Sequence, residues 1–352
     1  MNQWNKYEPT AARKHGTLGR KSRPKSITID VHSHVGVPRA AEFVKPHLAA
    51  TAMPLVTFSN AETKALNQKQ EADIIARAPL EKRLADLDAM GLDMQIIKPP
   101  PPQCYYAVPL EIAVQSAQMV NDGVAEFVAR KPDRLKGFGT VPMPDGNEAA
   151  KELERCVTKL DFKGVQVLTN VNGKELSDPA FAPFWKKAEE LGVLVVIHPN
   201  GFTHANRLER FYFNNVIGNP LETTIALHYL IFDGVLERHP NLKILAVHGG
   251  GYLASYAGRI DHAWGARSDS HGNLPNPPTS YLKKVYFDTV VFTPHQLREL
   301  VALYGADHIL MGTDYPFDMA DYDPVGHVCG AGLDAATIAA VCGGNVRAVL
   351  GV

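Results

Sequence analysis

Two histidines stand two residues apart in Ile29-Asp30-Val31-His32-Ser33-His34. On an extended strand this spacing puts both imidazoles on one face. Both can then reach one metal ion, at about 2.0–2.1 Å each if it is zinc. Three further ionisable residues close apolar runs far downstream: His198 in Leu-Val-Val-Ile-His-Pro, His248 in Ile-Leu-Ala-Val-His-Gly-Gly-Gly, and Asp314 in Ile-Leu-Met-Gly-Thr-Asp-Tyr-Pro. Three imidazoles and a carboxylate with one position left open describe a catalytic metal site rather than a closed structural one. His32, His34, His198 and Asp314 are therefore the expected ligands, with Asp314 also carrying a proton. Plainer readings stand beside these: a core histidine bonded to backbone ahead of Pro199, and a turn or N-cap aspartate ahead of Tyr315-Pro316. His248 is expected as an acid/base group beside the ion, since imidazole titrates near neutrality; the alternative is a loop histidine before a flexible triple glycine. Gly249-Gly250-Gly251 lacks the Lys-Ser/Thr of a phosphate loop, so close backbone packing is preferred there. Asp30, just ahead of the pair, is expected either to support the ligands or to be structural.

Something must bring these residues together. After Ile27 short β-branched runs alternate with polar, helix-like runs. Strands are expected near 28–32, 94–98, 135–141, 164–168, 193–198, 242–247, 285–288 and 309–312. Helices are expected over 81–90, 111–130, 147–160, 179–191, 220–238, 294–304 and 334–350. Eight uniformly apolar strands separated by helices predict an α/β fold, a parallel (β/α)8 TIM barrel. In such a barrel chemistry sits at the C-terminal strand ends, where His32, His34, His198, His248 and Asp314 all fall. Residues 36–80, rich in Ala and Pro, read as an insertion after the first strand that covers the active-site face. Pro99-Pro100-Pro101-Pro102 forms a stiff loop after the second strand. Tyr105 behind it is placed to stack on a planar ring; a rigid connector is the equal alternative. Arg259 lies on a probable helix, either as a carboxylate fork or as an ordinary surface arginine.

A chain of 352 residues suffices for one large barrel domain. A net charge of −1 argues against nucleic-acid or membrane partners, and no apolar stretch approaches a membrane span. Four scattered cysteines without a CxxC pair point to a reducing, cytoplasmic compartment. Residues 1–26 hold seven Lys/Arg and one acid, Glu8. They read as a basic flexible arm ahead of a 27–352 barrel, with an organelle transit peptide as the alternative.

The motifs Asp-Val-His-Ser-His, Ile-His-Pro, Ala-Val-His-Gly-Gly-Gly-Tyr, Gly-Arg-Ile-Asp-His-Ala-Trp and Met-Gly-Thr-Asp-Tyr-Pro-Phe resemble the amidohydrolase superfamily. Within it they are similar to the aminocarboxymuconate-semialdehyde decarboxylase branch. The resemblance covers about residues 28–350. It implies a (β/α)8 fold, one divalent ion (zinc first, manganese second), and non-oxidative decarboxylation of an aromatic or unsaturated acid. It implies His32, His34, His198 and Asp314 as ligands and His248 and Asp314 as catalytic groups. It also implies Arg259 as a substrate contact; Tyr105 and Trp264 are the other expected substrate-binding residues. Arg259 is expected to reach a neighbouring subunit's site, which makes a homodimer or higher homo-oligomer the working unit. Because the branch also holds hydratases and hydrolases, hydrolysis or hydration of a lactone, amide or enol acid is the alternative activity. Muconate-semialdehyde members carry a carboxylate-binding arginine in the first insertion. Between 40 and 76 this chain has none, only Arg39 and Arg77 at the edges and Lys45, Lys64 and Lys69 within.

Overall fold

The computed structural model describes residues 23–49 and 52–352. Residues 1–22 of the expected basic arm lie outside the described residues. The strands are β1 (Ile29–His34), β2 (Met94–Lys98), β3 (Leu135–Gly137), β4 (Gly139–Thr140), β5 (Gly164–Leu168), β6 (Asn170–Val171), β7 (Lys174–Glu175), β8 (Leu194–His198), β9 (Lys243–Ala246), β10 (Tyr286–Asp288) and β11 (Ile309–Leu310). Two sheets run β1-β2-β3 and β4-β5-β8-β9-β10-β11, parallel throughout, and β6 and β7 form a separate antiparallel pair.

The expected strand at 135–141 is two pieces. Phe138 interrupts it, is fully buried, and still donates its N–H to the Ile97 carbonyl at 2.8 Å. The two pieces carry the sheet across this point. On the other side the chain after β11 lies along β1. Val31 donates to the Met311 carbonyl at 2.9 Å, Asp314 to the His32 carbonyl at 2.8 Å, and His34 to the Tyr315 carbonyl at 2.8 Å. These bonds complete the barrel. Gly312 permits that approach, since a Cβ there would stand 2.8 Å from the Cβ of His32. Ile29, Val31, Ile96, Phe138, Val196 and Leu245 fill the interior. A larger apolar cluster, including Val165, Val195, Leu227 and Leu300, lies between strands and helices.

Helices Leu80–Met90, Leu110–Ala129, Gly146–Leu160 and Pro294–Tyr304 occur where periodicity placed them. Two expected helices are broken. The first starts with a π turn at Asn214–Gly218 and stops at Phe232 before Gly234 (φ 72°). The second, near 334–350, is interrupted at Gly343, where a Cβ would press within 2.3 Å of the Ile27 carbonyl. The segment 36–80 is largely helical, including Pro38–Val44 and Ala61–Ala76. The pair β6/β7 turns on Asn172-Gly173, both at positive φ, the Asn-Gly signal of a tight hairpin. No helix among the described residues is long and apolar enough to cross a membrane.

Candidate metal centre

β1 ends in His34, β8 ends in His198, and Asp314 follows β11 in the stretch bonded to β1. One ligand atom from each of His32, His34, His198 and Asp314 lies within 4.8 Å of the others. All four residues are buried. Imidazole rings 5.1–5.2 Å apart, meeting edge to face, surround a common point.

Each ring is held through Nδ1. His32 Nδ1 donates to Asp288 Oδ2 at 2.6 Å, His34 Nδ1 to the Pro99 carbonyl at 3.0 Å, and His198 Nδ1 to the Pro199 carbonyl at 2.7 Å. An ionised carboxylate and a carbonyl only accept, so the proton sits on Nδ1 and the Nε2 lone pair is directed inward. Nε2 of His32 and Nε2 of His198 are buried without a hydrogen-bond partner among the described residues. Orphaned buried acceptors facing a carboxylate are costly unless something binds them. The donor set therefore fits a divalent cation, with Asp288 and two carbonyls orienting the rings as metal-binding histidines require.

Asp314 divides its oxygens. Oδ1 lies 3.1 Å from His32 Nε2, 3.2 Å from His34 Nε2 and 3.9 Å from His198 Nε2, whereas Oδ2 lies 3.5 Å from His248 Nε2. Its left-handed φ of 63° directs the side chain back over the barrel mouth. His248 (φ 55°) opens a run of left-handed residues through Gly251. Gly249 N–H donates to Asp288 Oδ1 at 2.9 Å, and a Cβ on Gly251 would strike the Pro220 carbonyl at 2.3 Å. The triple glycine thus serves close packing and holds His248 beside the cluster.

Burial drives the His34 imidazole down to about 3 and that of His198 well below its ordinary value. His32 differs: burial and the Lys98 charge oppose its protonation, but Asp314 and Asp288 outweigh them and raise it. Burial alone would raise Asp314, yet the facing histidines, His32 first, hold it well below the carboxylate range. Burial is likewise overcome at Asp288, which the His32 hydrogen bond lowers.

A cavity of 430 Å3 lies at the strands' C-terminal side, lined by none of the four ligands themselves. Leu168, which pairs with His198, lines it together with Asn200, Cys104, Tyr105 and Tyr106. Met53, Pro54 and Phe58 from the 36–80 segment complete the wall. A larger cavity of 590 Å3 lies at the opposite end, between Arg23, Asp93 and Arg134, away from this chemistry.

Tyr105 therefore faces the cavity, while Arg259 is exposed on the helix Gly258–Ala266. Trp264 stacks on His271, with ring centroids 4.5 Å apart. Arg39 pairs with Glu126, and Arg77 with Asp86, so both edge arginines have partners elsewhere. Sequence reasoning singled out neither Asp288 nor Lys98 as functional. Both end apolar strands, the same signal that marked His198.

A family model described as amidohydrolase matches residues 29–352. The chain is 35% identical over 243 residues to 2-amino-3-carboxymuconate-6-semialdehyde decarboxylase of Dictyostelium discoideum, covering 69% of this chain and 68% of that one. It is 29% identical over 263 residues to gamma-resorcylate decarboxylase of Rhodococcus jostii, covering 67% and 77%. Among solved structures, 5-carboxyvanillate decarboxylase of Novosphingobium aromaticivorans, complexed with manganese and 4-hydroxy-3-methoxy-5-nitrobenzoic acid, superposes with a TM-score of 0.82. That likeness, at 22% identity over 98% of this chain and 100% of the other, shows the shared fold.

Proposed function

The chain belongs to the amidohydrolase family, and we propose that it is a metal-dependent, non-oxidative decarboxylase of an aromatic or unsaturated, muconate-like carboxylic acid. The observation that carries this is the convergence of inward-facing Nε2 atoms of three histidines on one buried carboxylate. The decarboxylase relatives favour loss of CO2 over hydrolysis or hydration.

His32, His34, His198 and Asp314 would hold one divalent ion. When bound, it supplies Lewis-acid polarisation of a substrate oxygen. Three imidazoles and a single carboxylate suit zinc; manganese, present in the 5-carboxyvanillate decarboxylase, is the second candidate. His248 stands 3.5 Å from Asp314 Oδ2 and delivers a proton to the carbon that loses CO2, so that no free carbanion forms. Asp314 orients that imidazole through Oδ2. Tyr105 and its neighbours exclude water and flank the substrate ring.

No Lys or Arg lines the 430 Å3 cavity among the described residues. We therefore assign carboxylate recognition to Arg259 of a neighbouring copy, with Trp264 beside it, in a homodimer or larger homo-oligomer. Residues 27–352 are taken as one barrel unit, 36–80 as its cover, and 1–26 as an arm. We place the protein in the cytoplasm, from its four scattered cysteines without a CxxC pair. The test is a panel of hydroxybenzoic and muconic acids assayed for CO2 release. Release of CO2 with one substrate supports the reading; water addition or amide cleavage without CO2 overturns it.

A further inference from the structure

The π turn Asn214–Gly218 runs directly into the helix Asn219–Phe232. Three buried polar residues stand on this stretch: Asn214, Asn219 and Glu222. Their side chains reach loops that line the 430 Å3 cavity, although none of the three lines it. Glu222 Oε1 accepts from the N–H and the hydroxyl of Thr203, at 3.0 and 3.2 Å. Its Oε2 accepts from Thr169 Oγ1 and Asn170 Nδ2, both at 3.0 Å. One carboxylate therefore joins the chain just after β5 to the loop after β8. Asn219 Oδ1 accepts from the Gly201 N–H at 2.8 Å, and Asn214 Oδ1 from the Phe202 N–H at 2.8 Å. In an α-helix, residues five apart do not share a face; a π turn takes up the extra residue. The two amides then meet adjacent N–H groups of one loop.

Asn214 also reaches the 36–80 segment. Its Nδ2 donates to the Pro54 carbonyl at 2.9 Å. The partners fix which way the amide points, since a backbone N–H only donates and a carbonyl only accepts. The amide lies in a slot between two glycines. A Cβ on Gly218 would stand 2.4 Å from its Oδ1, and one on Gly201 would stand 3.2 Å from its Nδ2 and 2.8 Å from the Leu55 N. Pro54 opens the short helix Pro54–Thr57, and Met53, Pro54 and Phe58 belong to the cover's side of the cavity. A second tether lies further along, where the Asn60 N–H donates to the Glu209 carbonyl at 3.0 Å.

We infer that Asn214 is a positioning residue that clamps the 36–80 cover to the loop after β8 and thereby sets the width of the substrate cavity. Two hydrogen bonds from one planar amide hold the Pro54 carbonyl opposite the Phe202 N–H, so the walls carried by the two segments keep one spacing. Met53, Pro54 and Phe58 are then held against the body of a planar acid, and their ordering is complete before it binds. Asn214 works through the wall and touches no reacting atom. That this cavity takes the substrate rests on the function proposed above.

The test uses two variants. Asn214→Asp is nearly isosteric; it keeps an acceptor for the Phe202 N–H but sets a carboxylate oxygen against the Pro54 carbonyl, so it releases the cover selectively. Asn214→Ala removes both bonds. Amide hydrogen exchange at Val56, Thr57 and Phe58 is compared with exchange in β5 and β8. KM and kcat are measured with the acid of the panel that releases CO2. In both variants exchange at 56–58 should speed by about tenfold or more, with β5 and β8 protected as in the wild type. KM should rise by about tenfold with a smaller change in kcat, because a looser wall weakens the bound ground state and transition state alike. Unchanged exchange at 56–58, or an unchanged KM, in both variants overturns the inference. Faster exchange spread equally over β5 and β8 also overturns it, since Asn214 would then serve general stability. If no acid releases CO2, the decarboxylase reading fails, and exchange at 56–58 still decides the clamp.

Discussion

Asp314 is the pivot of the site because each of its oxygens faces a different task. Oδ1 meets three ligand histidines and Oδ2 meets His248. Replacing His248 by Gln should leave the ion in place but reduce kcat by about 10²–10⁴-fold; metal content and turnover on the same sample check this. Asp288 acts one bond further out. Asp288→Asn should weaken ion affinity by about 10–100-fold, read by chelator competition. It should also move the pH dependence of binding. Asp288 and Asp314 raise His32, so a proton competes for that imidazole from above the ordinary histidine range, and competition strengthens as pH falls. Below that range, ion affinity should drop about tenfold per pH unit for one competing proton. In Asp288→Asn the onset should shift to lower pH. An unshifted onset contradicts the role given to this carboxylate.

The strands that present these residues were legible from their apolar runs, because a parallel barrel buries both faces of each strand and writes a continuous signal. His198 and Asp314 could be placed at strand ends for that reason. The helix Ala61–Ala76 was not legible. Its apolar Leu66 and Ile75 are exposed, and it carries no stripe to mark a buried face. The helical break at Gly343 escaped periodicity because its cause is tertiary, the Ile27 carbonyl behind it, whereas Gly234 ends its helix locally at a φ of 72°. Contact between β1 and the chain after β11 is likewise a matter of close approach. Gly312→Ala should force the backbone away from His32 and lower stability by about 1–3 kcal/mol. Thermal unfolding of the loaded protein measures this, and an unchanged Tm would show that the contact yields freely.

The assembled barrel brings together ligands from β1, β8 and the segment after β11, so ion binding and folding are linked. An ion that binds the folded chain alone stabilises it by about 2.7 kcal/mol at one hundred times its Kd. Chelation should therefore lower Tm, and re-addition of Zn2+ or Mn2+ should restore it; a Tm indifferent to both would separate the fold from the site. What the linear chain could not reveal is the charge inside the barrel. Lys98 and Asp288 each look like an ordinary strand end until the register sets them beside His34 and His32. The central claim is that four residues remote in the chain share one cation. Metal per chain, measured by mass spectrometry in the wild type and in His32→Ala, His34→Ala, His198→Ala and Asp314→Ala, tests it most directly. The account predicts about one divalent ion per wild-type chain and a loss of most of it in each folded variant. Stoichiometric metal retained in all four variants, or none in the reconstituted wild type, would contradict it.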